Sequence, residues 1–405
     1  MTMNYIIKTS PLGAVEYWIF NGIQKFFQRQ PVLKLRMIGW SLMAMICLNQ
    51  VAVAVGEDIA SLQENTGIQT ESTLGTVQKE FIFPLQGKHV HSSSIIELAD
   101  GSLLTCWYHG SGERRANDVV IQGAVKQAGS QSWSDVFLMA DTPGLPDCNP
   151  VLFTDTKQRI WLFWVIPIGN RWENSVLKYR RADQIGKNGQ PQWTWQDSIH
   201  LVPGEDFVNE MEVGFRKSDL REGMWAEYAL PYSRLLLEAA GNSENRQKGW
   251  MPRIHPITLP SGRILLPLYS DGFNASIMAI SDDEGETWHP SKPIIGLGPI
   301  QPSVVRRKEG QLVAYLRDSG PRPGRVMQSI SNDDGESWSV SLDTDIPNPG
   351  ASIDTIALRD GRWIMALNDT ERGRHRLALA GSDDEGRTWK WTLYVDNDPE
   401  QQKGF

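Results

Sequence analysis

Residues 281–288 read SDDEGETW, and near copies follow at 331–338 (SNDDGESW) and 382–389 (SDDEGRTW). The octets begin at steps of 331 − 281 = 50 and 382 − 331 = 51 residues, and such a period indicates repeated structural units. Asp side chains typically hold a turn by bonding backbone amides two residues on, and Gly supplies a positive φ. The final Trp can fold over the sheet. We therefore predict a rigid hairpin turn at each octet, with no metal role, because the EF-hand spacing is absent.

Each octet closes a run of short alternating segments. Within residues 301–338 the segments QPSVV, LVAYLR and RVMQSIS are separated by turns that contain Gly. The pattern is typical of antiparallel strands in a meander, and four-stranded units of this length suit the blades of a β-propeller. Less regular copies end at Trp133 and Trp195, which gives five units between residues 81 and 393.

Composition limits the class of protein. The chain has 405 residues, sixteen Trp and a net charge of −8. Because no run of Lys or Arg occurs after residue 80, we predict no nucleic-acid partner. The three cysteines, Cys47, Cys106 and Cys148, lack zinc-site spacing. The sequence leaves open whether Cys106 and Cys148 form a disulfide or remain two buried thiols.

Residues 1–56 are predicted to be a signal peptide or an N-terminal anchor. Basic residues between positions 25 and 36 precede an uncharged stretch at 37–56, which contains an Ala-x-Ala sequence at 52–54. This pattern favours export to the periplasm or the extracellular space. The alternatives are an uncleaved membrane anchor at residues 37–56 or a true start at Met37.

The rest of the chain is divided by composition. Residues 57–79 are polar and aperiodic and are predicted to be a linker, followed by a propeller domain at residues 80–405. Residues 203–249 interrupt the repeats and predict a helical or loop insertion. That insertion is either a binding element or a surface flap.

The octet pattern Ser-x-Asp-x-Gly-x-Thr-Trp resembles the Asp-box of sialidases (neuraminidases) and of other bacterial proteins with BNR repeats. Two copies match in full, and the third has Ser337 in place of Thr. The resemblance implies an all-β, six-bladed β-propeller of the sialidase type. Because the sequence stops soon after the third octet, the last blade is expected to be incomplete. Asp-boxes lie on the rim of these propellers, so the octets identify the fold and not the activity.

The resemblance implies an exo-α-sialidase, a glycoside hydrolase that cleaves terminal acidic sugars from glycans. In that family three arginines bind the sugar carboxylate, because guanidinium groups pair with carboxylates through two parallel hydrogen bonds. An Asp is the acid/base, and a Tyr assisted by a Glu is the nucleophile, an exception to the use of two carboxylates. No cofactor and no metal are implied.

The family's arginines can be placed on this sequence. Arg317 resembles the second arginine and Arg374 the third, with Arg376 as the alternative to Arg374. The first arginine is expected nine residues before a turn that begins here at Asp100, and that position is His91. A histidine therefore stands where the family has an arginine.

Of the other functional positions, one matches the family and two depart from it. Asp118 resembles the acid/base, the Glu position falls on Gln301, and the nucleophilic Tyr, expected after the last octet, is absent. The predicted residues are catalytic His91, Glu113 and Asp118, and substrate-binding Arg253, Gln301, Arg317 and Arg374.

These departures leave two alternatives to a sialidase. Because His91 replaces an arginine, the substrate is alternatively another acidic sugar such as a uronic acid. A glycosidase, or a lyase with His91 as base, would act on it. The absent Tyr favours a non-catalytic propeller that binds glycans.

Overall fold

The computed structural model describes residues 70–72, 75–77, 79–186, 188–218, 224–400 and 404. The chain divides into two compact units, residues 1–81 and 82–405. In the first unit β1 (Thr70–Ser72) pairs with β2 (Gly75–Val77) in a hairpin, within the segment predicted as a linker. The predicted signal peptide or anchor lies outside the described residues. Within the part of the chain that is described, no helix is long and apolar enough to span a membrane.

The second unit contains five antiparallel sheets, and each is a meander of consecutive strands. The first blade consists of β3 (His89–Glu97), β4 (Leu103–Gly110), β5 (Val120–Lys126) and β6 (Phe137–Ala140). The second consists of β7 (Cys148–Thr154), β8 (Ile160–Pro167), β9 (Ser175–Ile185) and β10 (Pro191–Ser198).

The remaining blades follow the same order. The third has a first strand in two pieces and consists of β11 (Met251–Pro252), β12 (Ile257–Thr258), β13 (Ile264–Ser270), β14 (Ala275–Ser281) and β15 (His289–Pro290). The fourth consists of β16 (Pro299–Arg306), β17 (Leu312–Asp318), β18 (Arg325–Ser331) and β19 (Leu342–Pro347). The fifth consists of β20 (Asp354–Ala357), β21 (Trp363–Asn368), β22 (Arg376–Ser382) and β23 (Trp391–Asn397).

The β-propeller class is confirmed, but the expected number of blades is wrong. The described residues form five blades rather than six, and the fifth has all four strands instead of being incomplete. The repeats counted along the sequence already gave five units. The sixth blade came from the family resemblance alone, because no sixth repeat is written in these residues.

The insertion between the second and third blades is helical. It contains α1 (Asp206–Lys217), α2 (Met224–Gly241) and the short α3 (Ser243–Arg246). The buried Arg246 guanidinium donates hydrogen bonds to Pro203 O at 3.1 Å, Ala240 O at 2.8 Å and Glu205 Oε1 at 2.9 Å. Its guanidinium therefore links the beginning of the insertion to its end.

The Asp-box octets form the predicted turns. In the first, Ser281 Oγ accepts from Gly285 N at 2.8 Å, and Asp283 Oδ1 accepts from Thr287 N at 2.9 Å. The Asp bond thus spans four residues, rather than the two expected from ordinary Asx turns. Trp288 Nε1 donates to Gly285 O at 3.1 Å, and Gly285 has a φ of 89° as predicted. The Ser and Asp bonds recur in the other two octets.

Each octet also joins its blade to the preceding one, which the sequence did not predict. The residue before the octet's Gly has a positive φ, and its carbonyl accepts a hydrogen bond from an arginine of the preceding blade. The pairs are Arg159 Nη2 to Glu284 O at 2.9 Å, Arg263 Nη1 to Asp334 O at 3.2 Å, and Arg307 Nε to Glu385 O at 3.2 Å. We call these three contacts the interblade bonds.

Substitution of Gly285 by Ala tests how closely an octet packs on its neighbour. A Cβ there would lie 2.4 Å from Trp161 of the second blade, in a backbone conformation with positive φ. We expect Gly285→Ala to lower the free energy of unfolding by about 2–4 kcal/mol, measured by denaturant titration. The control is Gly129→Ala, where φ is +79° and no atom lies within 4 Å of the added Cβ. Equal losses in both variants would contradict the packing argument.

Candidate functional site

Each blade places one polar residue at the same point of its first strand. The residue stands nine positions before the positive-φ residue of the next turn: 92 before 101, 149 before 158, 253 before 262, 301 before 310, and 352 before 361. We call the set the inner ring: Ser92, Asn149, Arg253, Gln301 and Ser352. Three of the five have a positive φ, and their strands shift register there.

The members of the inner ring meet across the propeller. Arg253 Nε of the third blade donates to Ser352 Oγ of the fifth at 3.1 Å, and Ser352 Oγ donates in turn to Gln301 Oε1. On the other side Asn149 Nδ2 donates to Tyr269 OH at 3.2 Å. Residues of non-adjacent blades can touch only near the central axis, and ligands of propeller proteins bind at that axis.

Three arginines converge at this place, and we call them the arginine triad: Arg253, Arg317 and Arg374. Burial lowers the pKa of Arg317, and the charge of Arg253 lowers it further. Burial, Arg317 and Arg253 together lower the pKa of Arg374. Arg317 Nε is buried without a hydrogen-bond partner, and Arg374 Nη2 donates to Gly350 O at 2.8 Å. Among the described residues, no carboxylate lies within ion-pair distance of the triad.

The alternative arginine, Arg376, is engaged elsewhere. Its guanidinium lies 2.8 Å from Asp369 and stands over the ring of Tyr394, 5.2 Å from the ring centre. Because Asp369 already compensates the charge of Arg376, Arg374 is the better candidate for the third arginine.

Beside the triad lies a group that we call the histidine cluster: His89, His91, Tyr108 and Glu113. Glu113 Oε1 accepts a hydrogen bond from Tyr108 OH at 3.1 Å. The same oxygen lies 3.6 Å from His89 Nε2 and 3.9 Å from His91 Nε2. Interaction with His89 and then with Tyr108 lowers the pKa of Glu113 despite its partial burial. The charge of Glu113 in turn acts on Arg374, so the cluster and the triad share one electrostatic environment.

Asp118, the predicted acid/base, has a different setting. Its carboxylate accepts from Ser111 Oγ at 2.7 Å and from Ser111 N at 3.0 Å, and it lies 2.9 Å from Lys88 Nζ. Ser111 and Lys88 hold the pKa of Asp118 far below its usual range. Asp118 is therefore ionised at neutral pH, and its role as a proton donor stays a prediction.

Two residues of the site were missed by the sequence analysis, Tyr269 and Asp271 at the end of β13. Burial raises the pKa of Asp271, while Arg317 and Arg114 oppose the shift. Burial and then the charge of Asp271 raise the pKa of Tyr269. A signal was available, because an aspartate ends or directly follows the second strand of three blades. These aspartates are Asp271, Asp318 and Asp369.

The two body cysteines are free thiols. Cys106 and Cys148 are both buried and unpaired, which decides between the two alternatives that the sequence left open. Burial raises the pKa of both thiols, so neither is a thiolate at neutral pH.

A family described as a BNR repeat-like domain matches residues 101–214 and 251–404, well over half of the sequence. The chain belongs to this family. The resemblance of the octets to the BNR repeats of sialidase-like proteins is thereby confirmed. No curated protein sequence matches the chain.

Solved structures show the same fold at low sequence identity. The Hadza microbial sialidase Hz136 is 16% identical with a TM-score of 0.56, over 81% of this chain and 64% of that one. The NanB sialidase from Streptococcus pneumoniae is 12% identical with a TM-score of 0.57, over 78% and 63%. A protein of unknown function from Dyadobacter fermentans is 14% identical with a TM-score of 0.55, over 77% and 84%. The chain thus spans slightly less than two thirds of the two sialidases.

Arg317 has no ion-pair partner among the described residues, and its position beside a like charge, that of Arg253, predicts an effect on stability. We expect Arg317→Met to raise the free energy of unfolding by about 1–2 kcal/mol, because it removes a buried unpaired charge next to two like charges. The control is Arg263→Met, since Arg263 bonds Asp282 at 2.7 Å and Glu336 at 2.9 Å and should stabilise the fold. Denaturant titration checks both; a lower stability of Arg317→Met would contradict the prediction.

Proposed function

We propose that the protein is a glycoside hydrolase that acts on a terminal acidic sugar of a glycan. The observation that carries the proposal is the arginine triad, contributed by the third, fourth and fifth blades. The charge of Arg253 lowers the pKa of Arg317, and both lower the pKa of Arg374, so the three guanidinium groups form an unfavourable arrangement until an anion joins them. A sugar carboxylate supplies the missing charge and accepts hydrogen bonds from donors such as Arg317 Nε, which has no hydrogen-bond partner among the described residues.

The carboxylate site faces the histidine cluster, and this arrangement supports chemistry at the neighbouring ring carbon. Glu113 has a lowered pKa, so its carboxylate is ionised at neutral pH and can accept a proton. Its distance of 3.9 Å to His91 is shorter than the separation of about 5 Å or more between two catalytic groups that flank a glycosidic bond. Glu113 and His91 therefore act as one proton-transfer unit on one face of the sugar.

The opposite face needs a second group. Asp118 is the candidate from the sequence, and Asp271 is a candidate from the structure. The raised pKa of Asp271 favours the protonated form that a general acid needs, whereas the lowered pKa of Asp118 favours the ionised form. We propose that Asp271 is the acid and that Asp118 has its predicted role only if substrate displaces Lys88.

Sialic acid is the acidic sugar that the fold favours, because the solved structures that resemble this chain include sialidases. Their low identity limits that argument to the fold. A uronic acid fits the same triad, since it also carries a carboxylate on the ring, and His91 occupies the position of the family's first arginine.

One observation favours elimination as a second candidate reaction. An imidazole, His91, lies beside a tyrosine, Tyr108, next to a cationic site for a carboxylate, with 5.4 Å between the ring centres. In a uronic acid, the imidazole would take the proton next to the carboxylate. Those electrons would form the ring double bond as the bond to the leaving oxygen breaks, and that oxygen would take a proton from the tyrosine. The unsaturated product absorbs ultraviolet light, whereas a hydrolysis product does not.

The Arg317→Met variant tests the carboxylate site. We expect it to weaken binding of sialosides and uronosides about 10- to 100-fold, as for loss of a charge-assisted hydrogen-bonded pair. Binding of neutral glycosides should change little. Calorimetry with both sugar classes measures this, with Arg362→Met as the control that removes an exposed arginine, which pairs with Asp360 at 2.6 Å. Equal loss for acidic and neutral sugars would contradict a carboxylate site.

The Glu113→Gln variant separates an enzyme from a binding protein. We expect turnover of acidic glycosides that carry a fluorogenic leaving group to fall about 10²- to 10⁴-fold, because the basic group is neutralised. Affinity for the product sugar should remain within a few-fold of the wild type. Unchanged turnover would remove Glu113 from the reaction. An unmutated protein that binds acidic sugars without any turnover would be a non-catalytic propeller.

A further inference from the structure

His89 and His91 stand two positions apart on β3 and therefore project from the same face of the strand. Their rings stack with centres 5.3 Å apart. Glu113, 22 residues further along the chain than His91, brings its carboxylate to the same point. One donor atom from each of the three residues lies within 4.8 Å of the others. The sequence predicts no metal site, because its cysteines lack zinc-site spacing and its octets lack the EF-hand pattern.

The donor separations fit a small metal ion. Two ligands bound at 2.0–2.1 Å with a tetrahedral angle stand about 3.3 Å apart. The observed distances from Glu113 Oε1 are 3.6 Å to His89 Nε2 and 3.9 Å to His91 Nε2. The three donor atoms lie within 4.8 Å of one another, so side-chain rotation would have to draw them together by up to about 1.5 Å to bind an ion.

The surroundings of the three residues also suit an ion. Nε2 of His89 is buried without a hydrogen-bond partner, although it points at the carboxylate. The Glu113 oxygen lies 3.6 Å away, beyond hydrogen-bond distance, and an ion between the two atoms would give both a partner. The Tyr108 hydroxyl, at 3.1 Å from Glu113 Oε1, gives the carboxylate the outer hydrogen bond that metal-binding carboxylates usually have.

We propose that His89, His91 and Glu113 bind one divalent transition-metal ion of the zinc class, with a coordination position left open towards the arginine triad. Two imidazoles and one carboxylate favour zinc over calcium or magnesium, which prefer ligands that are all oxygen. Arg114 and Arg374 act on Glu113 and oppose any cation there, so the imidazole nitrogens must provide the affinity.

The ion would take part in the glycoside reaction proposed above, although the metal site itself is inferred independently of that reaction. A water on zinc has a pKa near 7 and would exchange protons with the substrate in place of the Glu113 carboxylate. The open position could equally hold a sugar hydroxyl. Metal binding is measured without substrate, so its failure and the failure of the proposed function are distinguishable.

The full chain, without an affinity tag, is first stripped of metal by a chelator. It is then titrated with Zn²⁺ alone by calorimetry, and separately with Co²⁺ by visible absorption. We expect one equivalent of each ion, with the intense visible bands of four-coordinate Co²⁺. His89→Ala, His91→Ala and Glu113→Gln should lose that equivalent. The control His289→Ala should keep it, because His289 lies in the third blade and pairs with Glu336 at 3.5 Å.

A more conservative substitution keeps the test decisive if a variant that lacks one of the three ligands fails to fold. Tyr108→Phe retains all three ligands and removes the outer hydrogen bond, so it should weaken Zn²⁺ binding about 10- to 100-fold. Circular dichroism in chelator shows whether each variant is folded. Absence of one saturable equivalent in the unmutated protein would overturn the proposal, as would folded ligand variants that bind Zn²⁺ unchanged.

Discussion

The interblade bonds are the interaction on which the rest of the structure depends. A four-stranded sheet has two faces to cover, and alone it would leave apolar residues such as Trp161 exposed. The guanidinium groups of Arg159, Arg263 and Arg307 reach carbonyls that a positive φ turns towards the neighbouring blade. The octet turn of one blade thus fixes the position of that blade against the preceding blade.

That rigidity allows the site to hold like charges together. The arginine triad comes from three blades, and mutual repulsion would separate its members on a flexible scaffold. The inner ring opposes this through bonds such as Arg253 to Ser352, which cross from the third blade to the fifth. The positive φ of Gln301 is a further local strain that the surrounding packing sustains. The centre of the propeller therefore holds like charges and local strain that the surrounding packing sustains.

The sequence predicted features that are written locally and missed those created by convergence. The octets, the positive φ of Gly285 and the strand meander follow from residues within one repeat. The sequence named His91, Glu113 and the three arginines, but the contacts among them could not be read from it, because the triad joins three blades and the histidine cluster joins β3, β4 and the loop after β4. The number of blades was wrong for another reason: it was taken from relatives instead of from the repeats themselves. Arg374 could be chosen over Arg376 only once the partner of Arg376, Asp369, was known.

The bonds of Arg246 have an evolutionary consequence. By linking Pro203 to Ala240, they close the helical insertion on itself, so the second and third blades meet as if no residues had been added between them. A segment of different length or composition at this junction must still keep the apolar contacts of the insertion with the propeller, such as that of Gly214 with Ile295. Natural selection can therefore vary the exposed residues of the insertion more freely than its buried face.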